Sequence, residues 1–125
     1  MRKRILVVED EPDIATLLKV LFVAAGLIVV TAGDLASARA ALAEPPPPDL
    51  VVLDLVLPDG DGLELCREVR AAHPSLPVVV LTAQAGVRER AVAAGATLVV
   101  AKPFDLDRFE ADVQRLLRNE LRPAG

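Results

Sequence analysis

The stretch VVLDLVLPDGDG, residues 51–62, decides how this chain is read. Its first half is an aliphatic run of the kind that forms a strand, yet a carboxylate, Asp54, interrupts it just before the turn-forming LPDGDG. A buried aspartate without a partner is costly or takes up a proton. Asp54 therefore serves either as a turn former or as one member of a group whose other members lie elsewhere in the chain.

Working outward, LVVLD (50–54) is the third of five aliphatic runs, the others being RILVV (4–8), LIVVT (27–31), PVVVLT (77–82) and TLVVA (97–101). None alternates apolar with polar residues, so they fit strands buried on both faces, as in a parallel sheet. Segments with helical spacing lie between them. Ile14, Leu17, Leu18, Leu21, Phe22 and Ala25 form one continuous stripe, and Gly26 stops it. Leu35, Ala38 and Leu42 mark a second helix, opened by Asp34 and closed before EPPPPD (44–49), whose prolines read as a stiff connecting loop. Leu65, Cys66 and Val69 place a third, with Cys66 on the core face as a small hydrophobe rather than a nucleophile. A fourth, about 86–94, is Ala-rich and weakly periodic, and a fifth starts near Asp105 and carries Phe109, Val113, Leu116 and Leu117 inward. Strictly alternating β-α units of this length give an α/β fold, a doubly wound parallel sheet with helices on both faces.

The totals agree with a single domain. The 125 residues are 53% hydrophobic but only 2% aromatic, so the core is built from Val, Leu, Ile and Ala. A net charge of −4 argues against a binder of nucleic-acid backbone, and the one basic cluster, RKR at 2–4, reads as a solvated chain start. The single cysteine excludes an internal disulfide, and no signal peptide or membrane-length apolar run is present, so a soluble, cytoplasmic protein is expected. The lone His73 lies in the turn-like AAHPSLP and reads as a loop residue. There is no zinc pattern and no glycine-rich phosphate loop.

In open α/β sheets, ligands bind at the carboxyl ends of the strands, where the strand order reverses. The first run is followed by Glu9 and Asp10, the third ends in Asp54, the fourth in Thr82, and the fifth is followed by Lys102 and Pro103. Singly, each has an ordinary reading: Asp10 or Asp13 could cap a helix, and Asp54 could open a turn. Five polar groups ending consecutive buried strands on the binding edge are poorly explained by independent accidents. Three close carboxylates repel, so without a counter-ion at least one should hold its proton more tightly than usual. A hard divalent cation such as Mg²⁺ removes that penalty and pairs with phosphate. A carboxylate can also act as a covalent nucleophile and form an acyl phosphate. Phosphoryl transfer then needs charge neutralisation more than a general base, and Lys102 and Thr82 can supply part of it.

With those residues placed, the chain resembles a response-regulator receiver domain, the phosphoacceptor half of two-component signalling. The resemblance covers residues 4–119 and rests on ILVVEDEP, VVLDLVLPDGDG, VVVLTA, AAGA and AKPF in that order. It implies a flavodoxin-like, five-stranded parallel sheet of order 2-1-3-4-5 with five helices. The domain would occupy 1–121, with 122–125 a tail or the start of a linker. By the same resemblance Asp54 is the phosphoacceptor. Mg²⁺, or Mn²⁺ in its place, is held by Asp10, Asp54, the backbone carbonyl of Val56 and, through water, Glu9. Thr82 and Lys102 hold phosphoryl oxygens, the Lys102–Pro103 bond is cis, and Val56 and Gln84 occupy positions that tune dephosphorylation. The donor is a histidine kinase or histidine phosphotransfer protein, and a downstream protein or fused output domain reads the result. The domain is a regulatory phosphoacceptor that assists its own phosphorylation and dephosphorylation rather than a turnover enzyme. It is expected to touch neither nucleic acid nor membrane, and to be a monomer or a weak phosphorylation-dependent dimer.

Three departures from the family pattern stand out. Val99 occupies a position where receivers commonly carry Tyr or Phe, so the aromatic half of the usual switch is missing. The segment from Thr82 to AGA is shorter than in common relatives. Thr97, Leu98 and Asp112 lack the charge pattern with which many DNA-binding relatives dimerise. Two other readings compete. A haloacid-dehalogenase-like phosphatase needs a second aspartate where Val56 stands. A degenerate receiver, used as a phosphate-insensitive docking module, fits Val99 but leaves the complete set of acids, Thr82 and Lys102 without a purpose.

Overall fold

A computed structural model describes residues 2–118. Its strands are β1 (Arg4–Val8), β2 (Ile28–Ala32), β3 (Leu50–Asp54), β4 (Val56–Leu57), β5 (Gly60–Asp61), β6 (Val78–Thr82) and β7 (Leu98–Ala101). The helices are α1 (Pro12–Ala24), α2 (Leu35–Ala43), α3 (Gly62–Ala72), α4 (Arg88–Ala93) and α5 (Leu106–Leu117). Five strands form one parallel sheet in the order β2-β1-β3-β6-β7, which is the expected 2-1-3-4-5 order of the five long runs. The expected domain end at 121 and the tail 122–125 lie outside the described residues.

The continuous apolar runs are explained by burial on both faces of the sheet. Leu6, Val8, Val51, Leu53, Val78 and Val80 face α2, α3 and α4. Their neighbours Ile5, Val7, Leu50, Val52, Val79 and Leu81 face Leu18 and Phe22 of α1 and Phe109, Val113 and Leu116 of α5. The second core holds the aromatic packing, with Phe109 tilted against Phe22 at 5.9 Å and against the half-buried Phe104 at 5.0 Å.

Several local expectations are corrected. Val30 and Thr31 of β2 are exposed, because an edge strand with one neighbour is only partly covered by helices. The α1 stripe is wider than its contact with the sheet: Leu18 and Phe22 are buried, while Leu17 is 45% exposed and Ala25 is also exposed. The α1 cap is Glu11, without a side-chain hydrogen bond and followed by Pro12, and not Asp10 or Asp13. Asp34 does cap α2, accepting from the Ser37 N–H, and Asp105 caps α5 through the Arg108 N–H. Helix α4 is shorter than the sequence suggests. LPDGDG forms a two-stranded hairpin, β4 with β5, rather than a plain turn.

Candidate functional site

The sheet register delivers the polar residues as a staircase. Val8 of β1 pairs with Leu53 of β3, so Glu9 stands level with Asp54. Asp54 pairs with Leu81, and Thr82 comes one residue later on β6. Thr82 pairs with Ala101, and Lys102 comes one residue later again after β7. Backbone bonds fix the steps: Glu9 N–H donates to the Ala32 carbonyl at 2.9 Å and Lys102 N–H to the Thr82 carbonyl at 2.8 Å. The Lys102–Pro103 peptide is cis.

At the top of the sheet, Glu9, Asp10 and Asp54 bring carboxylate oxygens within 4.8 Å of one another. Glu9 is 3% exposed, Asp54 6% and Thr82 3%, whereas Asp10 is open to solvent. The ammonium of Lys102 lies 3.0 Å from Glu9 Oε1, 3.5 Å from Asp54 Oδ2 and 4.0 Å from Glu11 Oε1. Burial, then the hydrogen bond and charge of Asp54, push Glu9 from the usual 4.5 to about 7, against the pull of Lys102 and the Glu11 N–H. Burial alone would lower Lys102, but its contacts with Glu9, Asp54 and Glu11 outweigh it and hold the ammonium above its ordinary range. Three all-oxygen donors in this state, one of them reluctant to ionise, suit a hard divalent cation such as Mg²⁺ or Mn²⁺.

The flanking residues complete the frame. Val56 N–H donates to Asp54 Oδ1 at 3.3 Å, and Gln84 N–H donates to Thr82 Oγ1 at 3.0 Å. The side chains of Val56 and Gln84 are exposed, so these two residues form the open rims of the site. Val99 is half-buried on β7 and packs against the core on the α2–α4 side. Thr97 is buried, its hydroxyl accepting from the Val78 N–H at 3.1 Å and lying 3.4 Å from the Arg70 guanidinium. Arg70 also binds the Gly95 carbonyl at 2.7 Å, tying α3 to the entry of β7. Cys66 is buried, which pushes its thiol up and leaves it inert. His73 is the C-terminal cap of α3 and stands outside the acidic group.

Three supporting residues go unnoticed in the sequence. A Cβ on Gly62 would stand 2.6 Å from the Asp54 carbonyl oxygen and 2.8 Å from Leu55 Cα, so only glycine lets α3 begin this close to the site strand. The Asp59 carboxylate accepts from the Leu35 N–H at 2.7 Å and the Ala36 N–H at 3.1 Å, satisfying the start of α2 from the hairpin. Glu11 adds a third acid around Lys102. The second glycine of DGDG and the E-D-E run are the signals that mark Gly62 and Glu11; nothing local marks the partner of Asp59.

Comparison with known proteins gives the family of the chain. Residues 5–114 match the family model of the response regulator receiver domain. The chain is 40% identical over 116 residues to the probable transcriptional regulatory protein TcrX of Mycobacterium tuberculosis, covering 91% of this chain and 49% of that protein. It is 40% identical over 127 aligned residues to the DNA-binding response regulator MtrA of Mycolicibacterium smegmatis, covering 99% of this chain and 55% of that protein. The chain thus spans about half the length of these curated relatives. Among solved structures, the non-phosphorylated HemR receiver domain of Leptospira biflexa is 37% identical with a TM-score of 0.85, covering 93% of this chain and 94% of that one. A CheY-like receiver domain protein of Methanospirillum hungatei superposes with a TM-score of 0.89 over 96% of this chain and 97% of that one, and at 24% identity supports the fold alone. No described helix is long and apolar enough to cross a membrane. Fold, strand-end chemistry and relatives converge: the chain belongs to the response regulator receiver domain family of two-component systems.

Proposed function

We propose that the domain accepts a phosphoryl group on Asp54 and changes its partner binding as a result. One observation carries the reading: the Lys102 ammonium joins Asp54 to the buried Glu9 at a sheet edge that also presents Thr82. Asp54 is held as a nucleophile by its strand and by the Val56 N–H. A carboxylate oxygen of Asp54 attacks phosphorus, the O–P bond forms, and the bond to the donor breaks with the electron pair leaving on the donor imidazole. Thr82 Oγ1 already accepts from Gln84, so its own proton is available to a phosphoryl oxygen. Lys102 can exchange part of its contact with Glu9 for another phosphoryl oxygen. A divalent cation held by Asp10, Asp54, Glu9 and the Val56 carbonyl would neutralise the carboxylates and the charge on the transferring group.

The donor class is a phosphohistidine on a kinase or phosphotransfer protein, and the reader is a downstream protein or an output domain joined to the receiver. Supporting the latter, the curated relatives are about twice as long as the chain. The test is incubation with acetyl phosphate and Mg²⁺, with incorporation followed by intact mass. The wild type should gain one phosphoryl group and Asp54→Asn none; equal labelling of both would refute the assignment. A wild type that stays unlabelled while remaining folded would favour the phosphate-insensitive docking module.

A further inference from the structure

A cleft of ≈ 310 Å³ opens beside the site between the β4–β5 hairpin and α4, with Val56 and Gln84 on its walls. These are the two residues whose N–H groups touch Asp54 Oδ1 and Thr82 Oγ1, so the cleft adjoins the residues that frame the phosphoacceptor. Asp61 lines one side, its carboxylate already engaged by the Leu63 N–H. Arg90 of α4 lines the other and is the cleft's one cationic residue among those described. Arg90 is exposed, and no hydrogen bond or ion pair among the described residues engages its guanidinium. Its neighbours on the helix, Arg88 and Glu89, do not line the cleft.

The electrostatic setting gives this arginine a task. Glu9, Asp10, Glu11 and Asp54 crowd this edge, and Lys102 is the counter-charge that pairs with three of them. A phosphoryl donor arrives as an anion and must cross that field. Lys102 is occupied by three carboxylates, while no partner among the described residues holds the guanidinium of Arg90 at the cleft wall. A guanidinium suits the task, because its forked donors match phosphate oxygens.

We propose that Arg90 is a donor-binding residue that draws anionic phosphoryl donors into the cleft and favours dianions over monoanions. The proposal rests on the reading of Asp54 as phosphoacceptor. In the reaction with acetyl phosphate, the dianionic donor, the Asp54 oxygen bonds to phosphorus and acetate leaves with the electron pair of the broken P–O bond. With phosphoramidate, the monoanionic donor, the P–N bond breaks and ammonia leaves carrying the proton already on nitrogen. The chemistry at Asp54 is common to both; the charge that Arg90 meets differs.

The experiment compares initial phosphorylation rates of the full chain with Mg²⁺ and each donor, for wild type, Arg90→Lys and Arg90→Glu. Arg90→Glu should lower the acetyl phosphate rate relative to the phosphoramidate rate by about three- to tenfold, and added salt should shrink that difference. Arg90→Lys, which keeps the charge, should stay within about twofold of wild type in this ratio. An unchanged donor ratio in Arg90→Glu, with the wild type phosphorylated, overturns the role of Arg90 and leaves Asp54 standing. No incorporation from either donor into the wild type overturns the Asp54 reading itself. Arg90 is exposed, and circular dichroism of each variant confirms the fold before rates are compared.

Discussion

Lys102 lies 3.0 Å from Glu9, a residue 93 positions away in sequence, and the same ammonium reaches Asp54 at 3.5 Å. It is the counter-charge for a buried acid and for the strand-end aspartate. Replacing it by alanine strands both carboxylates. We expect Lys102→Ala to lose about 1–3 kcal/mol at pH 8 in the absence of divalent metal, measured by urea unfolding with a chelator present. Mg²⁺ should return part of that loss. An unchanged midpoint would mean that the contact contributes nothing to the fold.

Glu9 predicts an unusual pH dependence. Its pKa is raised on folding, so the folded state favours the proton-bound form. The associated stability is fully present below 4.5, is lost as pH rises, and is gone above about 7. The displacement corresponds to about 3 kcal/mol at most. Metal-free protein should therefore become less stable between those limits, and Glu9→Gln should flatten the slope. Thermal unfolding from pH 4.5 to 8 with and without Mg²⁺ checks this; a stability that climbs over the window would contradict it. Mg²⁺ should raise Tm more at pH 8 than at pH 5.5, because the cation must displace the proton from Glu9 at the lower pH.

Gly62 carries no chemistry, yet its replacement should disable the site. The new Cβ meets two backbone atoms, the Asp54 oxygen and Leu55 Cα, neither of which can swing away as a side chain tip would. Gly62→Ala should cost about 2–4 kcal/mol and slow phosphorylation together with stability. Full activity with wild-type stability would show that the β3 end can yield.

Asp59 holds the first turn of α2 from a distance. Asp59→Ala leaves the Leu35 and Ala36 N–H groups to solvent and should cost about 1–2 kcal/mol. Hydrogen exchange should localise the loss to the start of α2, and phosphorylation of Asp54 should be nearly unaffected. Exchange rates raised uniformly along the chain would argue against a local cap.

The fold and the polar strand ends were legible because they have local causes. Runs such as LVVLD and VVVLT are continuous only in strands covered on both sides, and Glu9, Asp54, Thr82 and Lys102 mark where those runs stop. What escaped the sequence is set by distant parts of the chain. Leu17 and Ala25 look like core positions because helical spacing shows a stripe but not how much of it a sheet will cover. The bond from Asp59 to α2 joins residues that no spacing rule connects. Thr97 stands at a position read for dimer charges, and the structure instead gives its hydroxyl to Val78 N–H beside Arg70.

The staircase of register also has a consequence for the order in which charge is balanced during folding. Pairing of β1 with β3 is sufficient to bring Glu9 level with Asp54. The ammonium that offsets them arrives only with β7, the far edge strand, held to the sheet by β6 alone. Any partly folded form that lacks β7 thus carries an uncompensated acidic cluster, and closing the sheet and neutralising the site are one event. The complete set of charges at the strand ends therefore exists only once the sheet is paired from β1 through β7.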